Sequence, residues 1–217
     1  MDYKEKLSSS KYKLTKNIME KCIKYTNPKK WFKAGKTITV KNRMQSNYEY
    51  TLTYNAGTNI KKGGLDTFGK VIKYSDFNPK FTPGQMLHMG VFEGKYCNDQ
   101  MLEFPKEWYL KLNKFSPEHP DPNINYFKIK SRQSLHEWRR KKWIPCAIGD
   151  RDSRGWFEWY CRYWLGRRQP VVDNIQIKRW KSFARHYGQY LKHTKGHIGK
   201  HPKRRQALLQ WSYPCLE

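Results

Sequence analysis

The sequence predicts an α+β protein, in which a small N-terminal antiparallel sheet is followed by a C-terminal helical unit with an aromatic core. Two segments early in the chain, 36–40 and 47–55, are rich in β-branched and aromatic residues that alternate with polar ones. Helical periodicity and helix-capping residues dominate after residue 130. One helical segment carries six aromatic rings within the nine positions 156–164.

The chain of 217 residues is long enough to bury a core, and an aromatic content of 16% is unlike that of a disordered tail. We divide it into a basic arm or weak helix over 1–30, an α+β part over 31–120 and a basic helical part over 121–217. The proline-rich segment 116–123 is the expected boundary between the last two parts, which also fit one continuous domain.

The two early strands are expected to pair across the polar connection 41–46. Turn-forming residues predict a loop over 55–64, and a third short strand is expected within 68–77. A short helix follows, with Thr82 as its N-cap, Pro83 in its first turn and Gly90 as its terminator.

Another short helix is expected over 105–112, and four helices are expected in the C-terminal part. Their signals are N-cap residues, apolar periodicity and terminating glycines. The four lie within 131–143 (after Ser131 or Ser134), from Asp152 or Ser153 to Gly166, from Asp173 to about His193, and within 203–213.

The six rings of the segment 156–164 fall on one side of a helix, on an arc of about 160° at about 100° per residue. This arrangement predicts that most of the rings are core residues. Phe157 and Trp159 lie at the edges of the arc and are the rings that a nucleic-acid base could stack on. Glu158 and Arg162 lie opposite, with the i,i+4 spacing of an exposed ion pair.

The third C-terminal helix has an apolar stripe with basic residues around it. The stripe predicts a core-facing side, and the basic residues predict a side that faces a polyanion. Its members are Ile177, Trp180, Ala184, Tyr187 and Leu191.

The formal net charge is +26, from 44 Lys and Arg against 18 Asp and Glu. The charge lies in two blocks, +12 over 1–80 and +17 over 128–205, and the segment 81–127 between them carries −2. Because such self-repulsion disfavours a compact molecule, the charge indicates a polyanionic partner, DNA or RNA.

We therefore predict a nucleic-acid-binding protein that contacts phosphates from a basic helical surface, without strong sequence specificity. No zinc-finger spacing, RNP motif or GxxG loop is present. A helix-turn-helix, with the helix ending at Gly166 joined to the one from Asp173, is an open alternative. The predicted contact residues are Arg139, Arg140, Lys141, Lys142, Arg167, Arg168, Lys178, Arg179, Lys181, Arg185, Lys203, Arg204 and Arg205.

Catalysis is the second interpretation. Glu93 and Lys95 form the E-x-K half of a metal-dependent nuclease motif, in which carboxylates hold Mg²⁺ and a lysine polarises the phosphate. The motif requires a second acidic residue on a neighbouring strand, and Asp66, Asp76 and Asp99 are the candidates. The match is short, so we favour a protein without enzyme activity over a nuclease.

A zinc site is a weaker possibility at three histidines spaced four residues apart, His193, His197 and His201. Nearby Gly196 and Gly199 disfavour a helix that would bring them together, and a flexible basic loop is the simpler interpretation. No cofactor is predicted overall.

The five cysteines are widely spaced and form no CxxC pair, which is typical of reduced thiols in an intracellular protein. The chain has no apolar stretch long enough for a membrane span and begins without a secretory signal. We expect a nuclear, viral-factory or virion location and no membrane partner.

Three segments resemble a family of uncharacterised basic, Trp-rich proteins of large DNA viruses, algae and fungi. They are TPGQMLHMGVFEGKYCNDQMLEFPKEWY (82–109), DSRGWFEWYCRYWLGRRQPVVDNIQIKRWKSFARHYGQ (152–189) and RRQALLQWSY (204–213), roughly a third of the chain. The resemblance implies an intracellular, viral protein and supplies no catalytic residue. A virion structural or genome-packaging protein is therefore the third interpretation.

Overall fold

A computed structural model describes residues 28–42, 45–100, 102–109, 119–130, 134–141, 152–194 and 201–215. These residues form two compact units. The sheet unit draws on 27–79 and 133–185, and the helical unit draws on 80–132 and 186–217. Each unit thus combines segments that are far apart along the chain.

The sheet unit begins with one helical turn, α1 (Pro28–Trp31), and an antiparallel pair, β1 (Thr37–Asn42) and β2 (Gln45–Thr51). Ile38 lies opposite Tyr50, and both side chains are buried. Alternation of exposed and buried residues along β1 matches a strand with one face on the core. The expected α+β class and its N-terminal strand pair are confirmed.

A second antiparallel pair joins β3 (Lys62–Leu65) to β4 (Val71–Lys73). The third strand that we expected is β4, whereas the prediction of a loop to residue 64 is wrong because β3 begins at Lys62. A Cβ at Gly64 would lie 3.1 Å from Cγ of Pro170, so the strand packs closely through its backbone at this position. Because glycine is uncommon within strands, the sequence did not indicate a strand there.

Three helices complete the sheet unit: α3 (Leu135–Arg140), α4 (Trp156–Leu165) and α5 (Pro170–Ser182). The hydroxyl of Ser134 accepts a hydrogen bond from the backbone N–H of Glu137, which selects Ser134 as the N-cap of α3.

Both predicted starts of the next two helices are wrong by a few residues. The helix α4 begins at Trp156, after Gly155 with φ +86°, and not at Asp152 or Ser153. The helix α5 begins at Pro170, which places Asp173 in its first turn. Proline suits this position because the first N–H groups of a helix have no partner within it.

The end of α4 at Gly166 is confirmed, and it depends on glycine. Gly166 has φ +116°, and a Cβ at this position would lie 1.9 Å from the carbonyl oxygen of Tyr54. The Gly166 carbonyl accepts hydrogen bonds from the N–H groups of Thr53 and Tyr54. The C-terminus of α4 is thereby attached to the chain that leaves β2.

The predicted helix from Asp173 to about His193 is interrupted at Phe183, after which α6 (Ala184–Thr194) begins. Ile177 and Trp180 are buried as expected. Beyond the interruption the stripe fails, because Leu191 is exposed and Tyr190 is buried in its place. Ala184 is also exposed and Tyr187 is half-buried.

In the helical unit, Thr82 is the N-cap of α2 (Pro83–His88), as predicted, and its side chain also forms a reciprocal capping box with Gln85. The expected helix at 105–112 is a 3₁₀ turn at Lys106–Tyr109, and 110–112 lie outside the described residues.

A second 3₁₀ turn, Pro122–Ile124, overlaps the end of the predicted boundary segment 116–123. The last helix is α7 (Pro202–Gln210), which confirms the fourth predicted C-terminal helix. Along the described chain, no helix has the length and apolar character needed to cross a membrane.

Candidate nucleic-acid interface

The aromatic rings of α4 form the core of the sheet unit. All of them are buried except Trp164, which is half-buried, so the prediction of an aromatic core is confirmed. Phe77 lies at the centre of this cluster, with ring centroids 5.1–6.2 Å away. Its neighbours are Trp159, Tyr160, Tyr163 and Trp180.

Neither of the two rings proposed for base stacking reaches solvent. Phe157 and Trp159 are both buried. The indole Nε1 of Trp159 donates a 2.9 Å hydrogen bond to Oδ1 of Asp173, also buried. The stacking prediction is therefore wrong for these two residues, because both rings belong to the core.

The expected exposed pair of Glu158 and Arg162 is instead a fully buried ion-pair cluster. Arg162 Nη1 lies 2.9 Å from Oδ1 of Asp152, and its Nη2 lies 3.4 Å from Glu158 Oε1. Arg167 Nη2 contacts the other oxygen of Asp152. The carboxylate of Asp152 thus binds two arginines. These ion pairs offset the free-energy cost of burying the charged groups.

The two carboxylates of this cluster titrate differently. Burial alone would raise the pKa of Asp152, but the charges and hydrogen bonds of Arg167 and Arg162 outweigh it and hold that pKa below its usual value. Burial raises the pKa of Glu158 despite the nearby charges of Arg162 and Arg154. Asp152 is therefore the charged centre of the cluster.

Three tyrosines in and just after β2 stack against arginines of α4 and of the segment that follows it. The guanidinium carbons lie 5.0–5.6 Å from the centroids of three rings in and just after β2. The pairs are Arg162 with Tyr48, Arg167 with Tyr50, and Arg168 with Tyr54. Aromatic rings and arginines are thus paired inside the protein.

Two predicted phosphate-binding residues, Arg167 and Arg168, must consequently be removed from the candidate surface. Arg167 is 2% exposed and Arg168 9%. Arg168 donates hydrogen bonds to the carbonyl oxygens of Lys62 (2.7 Å) and Tyr163 (2.6 Å). The guanidinium groups of both arginines donate hydrogen bonds to acceptors inside the protein, because the short segment after Gly166 passes between α4 and β3.

Arg205 is a third predicted phosphate-binding residue that is buried. It is buried in the helical unit, where its Nε donates to the carbonyl oxygen of Cys215 at 2.7 Å and its guanidinium lies 4.7 Å from the ring centroid of Phe127. Arg179 is half-buried and donates to Gln176 Oε1 at 3.2 Å.

Most of the other predicted contact residues are exposed, and Lys142 lies outside the described residues. Arg140 forms a 2.8 Å ion pair with Glu137, and Lys181 forms a 2.9 Å ion pair with Asp76. The exposed members are Arg139, Arg140, Lys141, Lys178, Lys181, Arg185, Lys203 and Arg204.

Exposed cations greatly outnumber exposed carboxylates in the described part of each unit. The sheet unit exposes 14 Lys and Arg but only Glu49, Asp66 and Asp76 among its acids. In the helical unit the described exposed cations number six, and the exposed acids none. The cations are Lys30, Lys33, Lys36, Lys41, Lys61, Lys62, Lys70, Lys73, Arg139, Arg140, Lys141, Lys178, Lys181 and Arg185, then Lys80, Lys128, Lys130, Lys192, Lys203 and Arg204.

The predicted contact residues do not include the β3–β4 hairpin, which exposes Lys62, Lys70 and Lys73. The signal that could have identified it is the Asp-Thr-Phe-Gly turn at 66–69 between two lysine-containing segments. The two glycines within β3 have low strand propensity, so the sequence did not indicate a strand there.

The nuclease motif is not placed on a strand. Glu93 is buried and has φ +57°, and it lies with Lys95 in the turns that follow Gly90. This backbone lacks the paired strands on which that chemistry depends. The neighbouring strand that the motif requires is therefore not formed around Glu93 and Lys95.

The two described histidine candidates, His193 and His201, belong to no metal-binding group within the described residues. His193 is exposed near the end of α6, His201 is exposed just before α7, and His197 lies outside the described residues. Where the structure describes the chain, no three His, Cys, Asp or Glu side chains are grouped as metal ligands.

Comparison with known proteins adds no relative. None of the protein-family models, curated proteins or solved structures matches this chain. The resemblance of 82–109 and 152–189 to viral, algal and fungal proteins stays a prediction.

Proposed function

We propose that the protein binds DNA or RNA by contacting phosphates with exposed lysines and arginines, without strong preference for sequence. The observation that carries this proposal is the imbalance of charges on the described surface. Each cation placed against a phosphate releases a counterion, which provides affinity independent of base sequence. Such a partner would also neutralise the self-repulsion of a chain with net charge +26.

Buried carboxylates explain why the surface stays basic. Asp152, Glu158 and Asp173 are enclosed in the sheet unit, where they neutralise arginines or accept hydrogen bonds from Trp159 of α4 and from the N–H of Gln169 just before α5. These acids do not offset the exposed lysines at short range. The surface charge is available to an external polyanion.

The exposed side of α5 and the residues that follow it are the part of the sheet unit that we assign to phosphate contact. Lys178 and Arg185 are exposed there, and Lys181 is exposed beside Asp76. Short-range neutralisation by Asp76 makes Lys181 the weakest of the three as a phosphate ligand, so the test uses the other two.

The test compares two double variants with the same loss of charge. Lys178→Gln with Arg185→Gln removes two cations from the assigned surface, and Lys128→Gln with Lys130→Gln removes two exposed cations from the helical unit. Binding to a DNA duplex and to single-stranded RNA is measured across a salt series. We expect the first variant to reduce the slope of log affinity against log salt by about two, and the second by much less.

Wild-type affinity that does not change with salt would overturn the proposal. Equal effects of the two variants would move the contact surface away from α5. A further part of the proposal, taken from the sequence, is that this binding occurs inside a cell in a compartment that contains nucleic acid.

A further inference from the structure

The β3–β4 hairpin ends in a turn that holds an aromatic ring in solvent. Phe68 is 86% exposed, more than the other large apolar side chains in the described part of the chain. Single exposed apolar residues are ordinary on protein surfaces. Phe68 differs because of the turn that presents it and the charges that surround it.

The backbone of the turn is held by several hydrogen bonds. Asp66 Oδ1 accepts from the N–H groups of Phe68 (2.9 Å) and Lys70 (2.8 Å). The Asp66 N–H donates to the Lys70 carbonyl at 2.8 Å, and Gly69 adopts φ +76° to complete the reversal. The position of Phe68 is therefore set, and only its two side-chain torsions are free, which lowers the entropy lost on stacking.

Apolar and basic side chains continue along the hairpin. Leu65 and Val71 lie opposite each other and are 58% and 42% exposed. Lys62 and Lys73 form the next opposed pair, and both are exposed. Like charges directly opposite each other on a strand pair are unfavourable without an anion between them.

The base of the hairpin is fixed to the helix that we assign to phosphate contact. Gly64 packs against Pro170 at the start of α5, and the hydroxyl of Tyr74, just after β4, donates to Asn174 Oδ1 at 2.9 Å. The hairpin and the basic side of α5 thus belong to one rigid framework within the sheet unit.

A partner for this hairpin must combine negative charge with flat apolar faces. Nucleic-acid bases beside their phosphates meet both conditions. An anionic membrane fits less well, because Asp66 and Lys70 lie only two residues from Phe68 on either side and would enter the lipid with it.

We propose that Phe68 stacks on an unpaired base, with Lys70 and the opposed Lys62 and Lys73 holding the adjacent phosphates. This inference rests on the proposed function and names its substrate class: single-stranded nucleic acid, or duplex opened locally. The hairpin supplies base contact, and α5 supplies phosphate contact.

The test uses the full chain with Phe68→Ala, Phe68→Leu and a control, Leu102→Ala, which changes an apolar residue that is 77% exposed in the other unit. Probes are a single-stranded oligonucleotide of about 20 nucleotides, the matching duplex, and phosphatidylserine vesicles. Thermal unfolding of each variant is recorded first, and we expect it unchanged because the Phe68 ring is exposed.

We expect Phe68→Ala to weaken single-strand binding by about 5- to 150-fold, with an unchanged salt slope. Phe68→Leu should recover little, since stacking requires a flat ring, and duplex binding should change less. Leu102→Ala should bind as the wild type does.

Single-strand affinity that is equal in Phe68→Ala and wild type, while the wild type still shows a steep salt slope, would overturn this inference and leave the proposed function standing. Loss of vesicle binding alone would overturn it in favour of a lipid surface. Absence of any salt-dependent binding by the wild type would overturn both.

Discussion

At the scale of single residues, Asp173 connects the aromatic core to the start of α5. Its two carboxylate oxygens accept hydrogen bonds from the Trp159 indole at 2.9 Å and from the Gln169 N–H at 2.8 Å. Burial raises the pKa of Asp173 to about 6, although these hydrogen bonds and the charges of Arg167 and Arg168 act in the opposite direction. The carboxylate is useful as an acceptor but costly as a buried charge.

This pKa predicts a pH dependence of stability. Because the folded state keeps the Asp173 proton up to about pH 6, whereas the unfolded chain releases it near 3.8, the free energy of unfolding falls as pH rises between these values. Asp173→Asn removes the titration. We expect the wild type to lose about 2–3 kcal/mol relative to this variant between pH 4 and 7. Denaturant unfolding at several pH values measures the difference, and parallel pH profiles would contradict it.

At the scale of elements, the glycines at Gly166 and Gly188 differ in whether the structure has room for a side chain there. Gly166 ends α4 in a conformation that other residues rarely adopt, and its Cα faces the Tyr54 carbonyl. Gly188 lies within α6, and nothing within 4 Å would contact an added Cβ. The first glycine attaches α4 to the chain after β2, and the second only weakens a helix.

The two positions provide a matched pair of substitutions. Gly166→Ala should lower the free energy of unfolding by more than about 3 kcal/mol, since both the backbone angle and the contact with Tyr54 oppose a methyl group. Gly188→Ala should raise it by about 0.5–1 kcal/mol through higher helix propensity. Chemical denaturation measures both changes, and a similar effect at the two sites would argue against the described packing of Gly166.

At the scale of the whole molecule, net charge opposes the compact state. The chain carries +26, and the described surface exposes few carboxylates that could offset it. Salt screens repulsion between exposed cations, with a Debye length of about 30 Å at 0.01 M and about 8 Å at 0.15 M. The buried cluster around Asp152 is screened much less, because water and salt do not reach it.

The thermal midpoint of unfolding should therefore rise as ionic strength increases from about 0.01 M to about 0.15 M. Lys128→Gln with Lys130→Gln, which lowers the net charge by two, should rise less over the same range. Calorimetry or circular dichroism gives the midpoint. A midpoint that falls with salt would show that favourable ion pairs, and not repulsion, dominate the electrostatics of the fold.

The sequence by itself determined the local features of this protein. The α+β class, the β1–β2 pair, the N-cap at Thr82 and the end of α4 at Gly166 all follow from alternation, from a capping side chain or from a residue's own backbone preference. Such signals act within a few residues of the chain, so they can be recognised without the fold. The strand β3 was missed because packing against Pro170, more than 100 residues later, allows its glycines to form a strand.

Only the tertiary structure decided which charges face solvent. Helical periodicity placed Arg162 opposite the aromatic arc, but the partners that bury it, Asp152 and Tyr48, come from other segments. Arg167 and Arg168 look like surface cations in the sequence and are interior donors in the fold, whereas the apolar Phe68 is exposed at a turn. Burial depends on contacts between distant segments, and those contacts are what a periodicity along one segment does not contain.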